Sequence, residues 1–184
     1  MKYIPNGRQY IDNEDKKLVS KQLIAKALST LNRRGPDDSK IWISENEIVG
    51  FGHTRLSIQD LSSSGAQPMF SFDKKFIIIF NGEIYNHKFL RNKLNNDFKK
   101  MQWFSSSDTE TLVNLFSQYG IDETLQLING MFSIGLYDIS QNKLFLIRDR
   151  MGEKPLYYSH QNNNLIFGSD LNFLKFFKIH GLSI

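Results

Sequence analysis

The order of the predicted elements along the 184-residue chain predicts a fold of helices and β-strands arranged in four layers. A helical pattern near the N-terminus is followed by short strands, a second helix and further strands. Leu144 to Ile147 is apolar at every position, which is typical of a strand that is covered on both faces. Two sheets that pack together between outer helices account for these observations.

The first helix is predicted over Glu14 to Asn32, where apolar residues recur three or four positions apart and so share one helix face. Asp12 and Asn13 precede it and are candidate N-caps, because their side-chain oxygens can accept hydrogen bonds from the first backbone N–H groups of a helix. The apolar face consists of Val19, Leu23, Ile24, Ala27, Leu28 and Leu31. We expect an amphipathic helix here.

Three short stretches after this helix have the composition of β-strands. They are Ile41 to Ser44, Ile48 to His53 and Phe76 to Phe80, and they are rich in Ile and Phe. The polar run Asp60 to Gln67 separates the second stretch from the third. We therefore expect three strands, with a loop before the last of them.

The second helix has the clearest start and end signals in the chain. Ser107-Asp108-Thr109-Glu110 matches a capping box, in which the Ser and Glu side chains bind backbone N–H groups at the start of a helix. Gly120 stands where such a helix would end. The apolar residues between these signals recur at helical spacing and are Leu112, Leu115, Phe116 and Tyr119.

The C-terminal third returns to a β pattern. Phe132 to Tyr137 and Leu144 to Ile147 are predicted to pair as a hairpin, because the polar segment Ser140-Gln141-Asn142 lies between them. The segment Asp149 to Pro155 is predicted as a loop between strands.

Composition limits the function classes. The net charge of +4 comes from 23 basic and 19 acidic residues scattered along the chain, so it does not predict a nucleic-acid surface. The longest apolar run, Phe76 to Phe80, is far shorter than the roughly 18 residues of a membrane span. The N-terminus has no apolar signal-peptide core, and we expect a cytoplasmic protein without a membrane segment.

The sequence predicts neither a metal site nor another cofactor. The four histidines, which are His53, His87, His160 and His180, show no spacing typical of metal ligands. The chain contains no cysteine, which excludes disulfides, thiolate ligands and a thiol nucleophile within these 184 residues.

Three residues carry groups that suit an anion or an oxyanion. Arg55 offers a planar guanidinium that can bind a carboxylate through two hydrogen bonds, although an ordinary ion-pair arginine on a strand is the alternative. Asn81 and Gly82 offer a side-chain N–H and a backbone N–H in sequence, a pair suited to an oxyanion. The alternative for these two residues is a hairpin turn, since Asn-Gly is a common turn sequence.

Two carboxylates, those of Glu83 and Asp108, could hold an ammonium group between them. Asp108 has a competing explanation, because an acid in the first turn of a helix is stabilised by the helix dipole without any ligand. The residues alone leave both explanations open.

Eight segments in one order, spanning about residues 33 to 174, resemble the class II (type-2) glutamine amidotransferase domain of glutamine-dependent asparagine synthetases. They are Arg34-Gly35-Pro36-Asp37-Asp38, Gly52-His53-Thr54-Arg55-Leu56-Ser57-Ile58, Gly65-Ala66-Gln67-Pro68-Met69, Asn81-Gly82-Glu83-Ile84-Tyr85-Asn86, Ser107-Asp108-Thr109-Glu110, Gly130-Met131-Phe132, Arg148-Asp149-Arg150-Met151-Gly152 and Lys154-Pro155-Leu156-Tyr157-Tyr158.

The resemblance implies an α+β fold of the N-terminal-nucleophile hydrolase type, a four-layer αββα sandwich of two antiparallel sheets. Residues 1–184 would form a single amidotransferase domain, without the ATP-dependent synthetase domain that uses the ammonia in asparagine biosynthesis. Glutamine would be held by Arg55 at its α-carboxylate and by Glu83 and Asp108 around its α-amino group. Asn81 and Gly82 would form the oxyanion hole.

The resemblance also implies a nucleophile that this sequence does not contain. Members of the family begin Met-Cys-Gly-Ile, and the cysteine exposed by removal of Met attacks the glutamine amide. This sequence begins Met1-Lys2-Tyr3-Ile4. Its first serine, Ser20, and its first threonine, Thr30, lie in the predicted helix. Two hypotheses follow: a glutaminase domain that acts when the cysteine is present, and an inactive pseudoenzyme that senses glutamine or docks a partner.

Overall fold

The structure is a computed structural model that describes residues 19–31, 35–55, 63–99, 101–161 and 163–177. Its elements in chain order are α1 (Lys21–Ser29), β1 (Asp38–Ile43), β2 (Gly50–Arg55), a 3₁₀ turn (Ser63–Gly65), β3 (Met69–Phe70), β4 (Phe76–Ile84), α2 (His87–Asp97), α3 (Asp108–Leu127), β5 (Gly130–Asp138), β6 (Lys143–Arg148), β7 (Tyr157–Gln161), β8 (Asn164–Gly168) and α4 (Leu171–Phe176).

All strand pairs among the named strands are antiparallel. The largest sheet has four strands in the order β3-β4-β5-β6. Its central pair is β4 and β5, whose register runs from Phe76 opposite Asp138 to Ile84 opposite Gly130. The remaining strands form two separate two-stranded sheets, β1-β2 and β7-β8.

Two apolar clusters separate the layers. The larger one lies between the four-stranded sheet and helices α2 and α3, and it includes Leu94, Phe116 and Ile134. The smaller one joins the other face of this sheet to β2 and β8, through Phe51, Phe167 and Tyr137 together with their neighbours. Burial of these large side chains is the main stabilising contribution, since each fully buried one contributes about 1.5 to 3 kcal/mol.

Helices α1 and α4 cover the outer side of the two small sheets and contact each other. The glycines of β2 allow the close approach of α1, because a Cβ at Gly52 would lie only 2.8 Å from Leu28 and 2.9 Å from Ile24. The layers are therefore helices α2 and α3, the four-stranded sheet, the two small sheets, and helices α1 and α4. The predicted αββα sandwich with antiparallel sheets is confirmed, with its second β layer made of two separate pairs.

The first helix begins later than the sequence predicts. Ser20 has an extended backbone and its Oγ accepts a hydrogen bond from the N–H of Leu23 at 3.3 Å, so Ser20 is the N-cap and α1 begins at Lys21. The predicted start at Glu14 is wrong, and Asp12 and Asn13, the predicted caps, lie outside the described residues.

The second predicted helix is confirmed, with two differences. The Ser107 Oγ accepts from the N–H of Glu110 at 3.2 Å, but the Glu110 carboxylate accepts from the N–H groups of Phe104 and Ser105 and not from that of Ser107. Gly120, with a φ of 79° and a ψ of −179°, is not helical and ends the predicted helix as expected, but a second helical stretch follows directly and continues to Leu127.

The hairpin of β5 and β6 is confirmed, and its turn contains Asn142 at a φ of 54°. The predicted loop over Asp149 to Pro155 is also confirmed, since it joins β6 to β7. Within the described ranges, no helix is both long and apolar enough to cross a membrane.

Candidate functional site

The segment Asn81-Gly82-Glu83 lies inside β4. The sequence predicted that this strand would end at Phe80, where the apolar run stops, but β4 continues to Ile84. Asn81 pairs with Ser133, and the pairing with β5 continues through Gly82 and Glu83. The alternative of an Asn-Gly hairpin turn is therefore wrong, because strand pairing depends on backbone groups that polar residues also carry.

Position 82 has no room for a side chain. A Cβ at this position would lie 2.1 Å from the carbonyl oxygen of Met131 and 2.7 Å from the Cα of Phe132 on β5. Its φ of 158° is also one that other residues rarely adopt. Only glycine therefore fits between Asn81 and Glu83 at this close approach of β4 and β5.

Asp108 connects the start of α3 to the edge of β4 that faces away from β5. Its Oδ2 accepts a hydrogen bond from the backbone N–H of Ile84 at 3.0 Å. Backbone N–H groups two residues apart point to the same edge of a strand, so the N–H of Gly82 points to this edge too. A backbone donor and the Asp108 carboxylate thus lie along one edge.

The Asp108 carboxyl group is buried, with a relative exposure of 6%. Burial raises its pKa above the ordinary value, and the negative charge of Glu83 adds a smaller rise. The hydrogen bond from Ile84, the nearby His87 and the backbone of Thr109 oppose the rise. Among the described residues, no lysine or arginine forms an ion pair with Asp108. A buried carboxylate beside a second carboxylate is an environment that a cationic ligand would stabilise.

Arg55 is the last residue of β2, and the segment before β1 holds its backbone in place. The N–H of Asp37 donates to the Arg55 carbonyl at 3.0 Å. Gly35 packs directly on the peptide between Thr54 and Arg55, since a Cβ there would lie 2.5 Å from the Thr54 carbonyl carbon. The segment Gly35-Pro36-Asp37 thus holds the backbone of a predicted site residue. Residues 56 to 58 of the arginine motif lie outside the described residues.

A cavity of about 160 Å³ is lined by residues near the end of β2 and in the middle of β4. Thr54, which precedes Arg55, and Asn81 both line it, together with His53 and Ser133. The Nδ1 atom of His53 is buried and has no hydrogen-bond partner among the described residues. Burial lowers the pKa of His53 to about 4, a hydrogen bond with the Phe80 backbone opposes this shift, and the charge of Arg55 adds to it. His53 is therefore neutral near pH 7.

The structure thus brings four of the five predicted site residues together around β4. Asn81, Gly82 and Glu83 are consecutive on β4, and Asp108 is bonded to the same strand two positions beyond Gly82. Arg55 lies outside the lining of the cavity, although Thr54, the residue before it, lines the cavity together with Asn81.

Sequence reasoning missed Arg91, which fastens the loop that leads into Asp108. Its guanidinium donates to the carbonyl oxygens of Ser105 and Ser107 at 2.7 and 2.9 Å and lies 3.6 Å from the Glu110 carboxylate. It also lies over the Trp103 ring at 4.1 Å. No local signal marks it, because its partners, two of which are backbone carbonyls, lie 12 to 20 positions away in the sequence.

Asp149 holds the loop after β6 together and binds it to Phe132 of β5. Its carboxylate accepts hydrogen bonds from the N–H groups of Phe132, Glu153 and Lys154 at 3.1, 2.9 and 3.0 Å. Burial alone would raise its pKa, but these donors hold the pKa below the ordinary value. Because Phe132 pairs with Gly82, Asp149 supports the strand opposite the candidate site.

No group of three or more His, Asp or Glu side chains in the described ranges is arranged to bind a metal ion. The site is built from hydrogen-bond donors and carboxylates, which suits a small organic ligand that carries both charges.

Comparison with known proteins matches the chain to one family. A family model described as "Glutamine amidotransferase domain" matches residues 9–180. The chain is 42% identical over 144 residues to asparagine synthetase [glutamine-hydrolyzing] 2 of Bacillus subtilis, covering 78% of this chain and 18% of that protein. It is 38% identical over 141 residues to asparagine synthetase B [glutamine-hydrolyzing] of Escherichia coli, covering 76% of this chain and 24% of that protein.

A solved structure supports the fold. Glutamine phosphoribosylpyrophosphate amidotransferase from B. subtilis superposes with a TM-score of 0.72 at 17% identity, covering 87% of this chain and 41% of that one. The curated relatives are much longer, since the chain spans 18% and 24% of the two synthetases named above. The chain belongs to the family of class II glutamine amidotransferase domains, in the group found in asparagine synthetase-like proteins.

Proposed function

We propose that this domain binds L-glutamine and, when an N-terminal cysteine is present, hydrolyses it to glutamate and ammonia. The observation that carries this proposal is the hydrogen bond between Asp108 and the N–H of Ile84. It fixes a buried carboxylate on the strand that carries the two candidate oxyanion donors, Asn81 and Gly82. Family membership supports the same substrate.

The charged ends of glutamine have matching groups in the site. Glu83 and Asp108 bind the α-ammonium group, and that positive charge offsets the cost of burying the Asp108 carboxylate. Arg55 binds the α-carboxylate through two parallel hydrogen bonds. Two opposite charges at a fixed separation select an α-amino acid over a simple amide.

The amide end of glutamine lies against Asn81 and Gly82 in this proposal. The Asn81 side-chain N–H and the Gly82 backbone N–H stabilise the oxygen as it gains negative charge during attack on the amide. The 184 residues contain no cysteine, so these groups bind and polarise glutamine but supply no thiolate. Hydrolysis therefore depends on a cysteine that is joined to this domain.

We further propose that the ammonia goes to an ATP-dependent synthetase domain or subunit in the cytoplasm. Two relatives are named glutamine-hydrolysing asparagine synthetases, and most of their length lies beyond the part that this chain matches. The domain itself uses no cofactor or metal in this proposal.

A second candidate function is a pseudo-glutaminase that senses glutamine or docks a partner without hydrolysing it. The complete lack of cysteine in the sequence favours this candidate. Measurement of ammonia release after Met-Cys-Gly-Ile replaces Met1-Lys2-Tyr3-Ile4 separates the two, because the cysteine-bearing domain should then hydrolyse glutamine, whereas a pseudo-glutaminase should not.

Calorimetric titration with L-glutamine and two truncated ligands tests the proposed binding mode. Glutaramic acid lacks the α-amino group, and 4-aminobutanamide lacks the α-carboxylate. We expect binding of L-glutamine and at least a tenfold loss of affinity for each truncated ligand, because each leaves buried charges without a partner. Equal affinity for all three ligands, or no binding of L-glutamine, would contradict the proposal.

A further inference from the structure

Gln67 belongs to a motif that the predicted site does not use, Gly65-Ala66-Gln67-Pro68-Met69, and its side chain is buried with a relative exposure of 8%. The amide makes three hydrogen bonds. Its Oε1 accepts from the backbone N–H of Phe80 at 2.6 Å, and its Nε2 donates to the Phe80 carbonyl at 3.1 Å. The same Nε2 donates to the Thr109 Oγ1 at 3.3 Å.

The two bonds to Phe80 replace a backbone pair of the sheet. Strand β3 pairs with β4 at Met69 opposite Ile78 and at Phe70 opposite Ile77. Extension of this register places Gln67 opposite Phe80, next to Pro68, which has no backbone N–H to donate. The Gln67 amide thus supplies from its side chain one donor and one acceptor for the edge of β4.

These bonds fix the same edge of β4 that carries the candidate oxyanion donor. The N–H groups of Phe80, Gly82 and Ile84 alternate with those that face β5, so all three point to one edge. Gln67 holds the first of them and Asp108 holds the third. Gly82 lies midway between the two anchors.

The third bond of Gln67, to Thr109, connects β4 to helix α3 through the Gln67 side chain. Thr109 directly follows Asp108, whose carboxylate is bonded to Ile84. Gln67 and Asp108 therefore join the same two segments at separate points. These two polar links add to the apolar packing that holds α3 on the sheet.

We propose that Gln67 is a positioning residue for the amino-acid pocket: it holds Gly82 and Asp108 at a fixed separation along the edge of β4. This inference rests on the proposed function, because it assigns these two residues to one ligand. Gln67 touches the ligand at no point. Its effect is carried by Phe80 and Thr109.

The test compares Gln67→Met with a matched control, Asn114→Leu, in the 184-residue chain. Asn114 is also a buried amide, with a relative exposure of 1%, and it also links α3 to the hairpin of β3 and β4. Its Oδ1 accepts from the N–H of Phe72 at 2.8 Å, and its Nδ2 donates to the Glu110 carbonyl at 2.9 Å. Both substitutions remove buried hydrogen bonds, but only one of them affects residues adjoining the pocket.

We expect Gln67→Met to weaken L-glutamine binding about tenfold and Asn114→Leu to leave the Kd unchanged, each measured by calorimetry at a temperature where both are folded. Equal affinity of Gln67→Met and the parent overturns the proposal, as does an equal loss in the control. If Gln67→Met does not fold, Thr109→Val removes only the bond to α3, and it should weaken binding about threefold. An unchanged Kd in that variant also overturns the proposal.

A second readout needs no ligand and so separates this inference from the proposed function. Amide hydrogen exchange at Ile84, whose N–H is bonded to Asp108, should be about tenfold faster in Gln67→Met, or in Thr109→Val if the former does not fold, than in Asn114→Leu, after correction for global stability. If the parent binds no glutamine but this difference appears, the proposed function fails and the positioning role of Gln67 stands. If the exchange rates agree, the positioning role fails whether or not glutamine binds.

Discussion

The Oδ2 of Asp108 accepts a hydrogen bond from the backbone N–H of Ile84 at 3.0 Å, so the first residue of α3 is bonded to the last residue of β4. The sequence left two explanations of Asp108 open, stabilisation by the helix dipole and binding of an ammonium group. This contact decides between them only in part. Ser107 is the N-cap of α3, and Asp108 bonds to another element. A structural role for Asp108 is thus compatible with a role in binding, and the two roles depend on different properties of the side chain.

Asp108→Asn separates these roles, because Asn keeps an oxygen for the Ile84 N–H and loses the negative charge. We expect L-glutamine affinity to fall more than tenfold while the melting temperature stays nearly constant. Asp138→Asn is the matched control, since Asp138 is a buried carboxylate that accepts from the N–H of Gln141 at the far end of β5. Calorimetry on both variants checks this, and unchanged affinity in Asp108→Asn would leave only the structural role.

Arg55→Ala is expected to abolish glutamine binding and keep the fold. A carboxylate that loses a bidentate partner in a desolvated site loses about 2 to 5 kcal/mol of binding free energy. Arg55→Lys should fail nearly as badly, because a point charge cannot reproduce the planar pair of donors. Arg150→Ala, in the exposed turn after β6, is the control for lost positive charge. Retention of parental affinity by Arg55→Ala would disprove this assignment.

Gly82→Ala is expected to destabilise the fold by about 3 kcal/mol or more, since the new Cβ would overlap the Met131 carbonyl. Gly120→Ala is the control, because Gly120 has a φ of 79° but no atom within 4 Å of the added Cβ. Its cost should be about 1 to 3 kcal/mol, from backbone conformation alone, because a φ of 79° with a ψ of −179° is a conformation that essentially only glycine adopts. Urea denaturation measures both, and similar losses would mean that β4 and β5 separate easily at Gly82.

His53 predicts a pH dependence of stability. The unfolded chain binds a proton at His53 near pH 6.5, whereas the folded chain binds it only near pH 4, so the unfolded state carries more protons between these values. The contribution of a neutral His53 to the free energy of unfolding is therefore fully present above pH 6.5, and about 3 kcal/mol of it is lost as the pH drops to 4. The groups that act on His53 are Arg55, Asp38 and the Phe80 backbone.

His53→Gln should flatten this dependence, because glutamine carries no titratable group and can still donate to the Phe80 carbonyl. His160→Gln, on the exposed side of β7, should leave the dependence as in the parent. Urea denaturation between pH 7 and pH 4 measures the slope for each protein. The same slope in His53→Gln and the parent would show that other groups cause the acid loss.

The sequence predicted elements best where side chains decide the structure. Helix α3 was found because its apolar residues recur at helical spacing behind Ser107, and burial of that face determines the helix. The end of β4 was placed too early, at Phe80, because the apolar run stops there while backbone pairing with β5 continues to Ile84. Gly120 does end the predicted helix, but no side-chain pattern indicated the second helical stretch that follows it directly.

The candidate site divides in the same way. Its charged and amide groups, such as Arg55 and Asn81, were found because their chemistry is visible in a motif. Gln67 and Arg91 were not, since their partners are mostly backbone atoms and hydroxyl groups between 13 and 42 positions away. No spacing in the chain marks such contacts, which exist only after β4 and α3 have packed together.

The last prediction concerns the nucleophile. Replacement of Met1-Lys2-Tyr3-Ile4 by Met-Cys-Gly-Ile, with Met removed in the cell, should create glutaminase activity if Arg55 and the β4 donors form the proposed pocket. Asn81→Ala in this protein should then lower kcat by about 10² to 10³-fold, the usual effect of removing one oxyanion donor. Ammonia release from L-glutamine is the measurement.

Two controls decide what a negative result means. A version that begins Met-Ser-Gly-Ile has the same length and should release no ammonia, which ties any activity to the thiol. Titration of the N-terminal thiol shows whether the cysteine is exposed in the folded protein. If the thiol titrates, the chain is folded and glutamine is still not hydrolysed, the donors on β4 do not form an oxyanion hole, and glutamine sensing or partner docking becomes the better supported function.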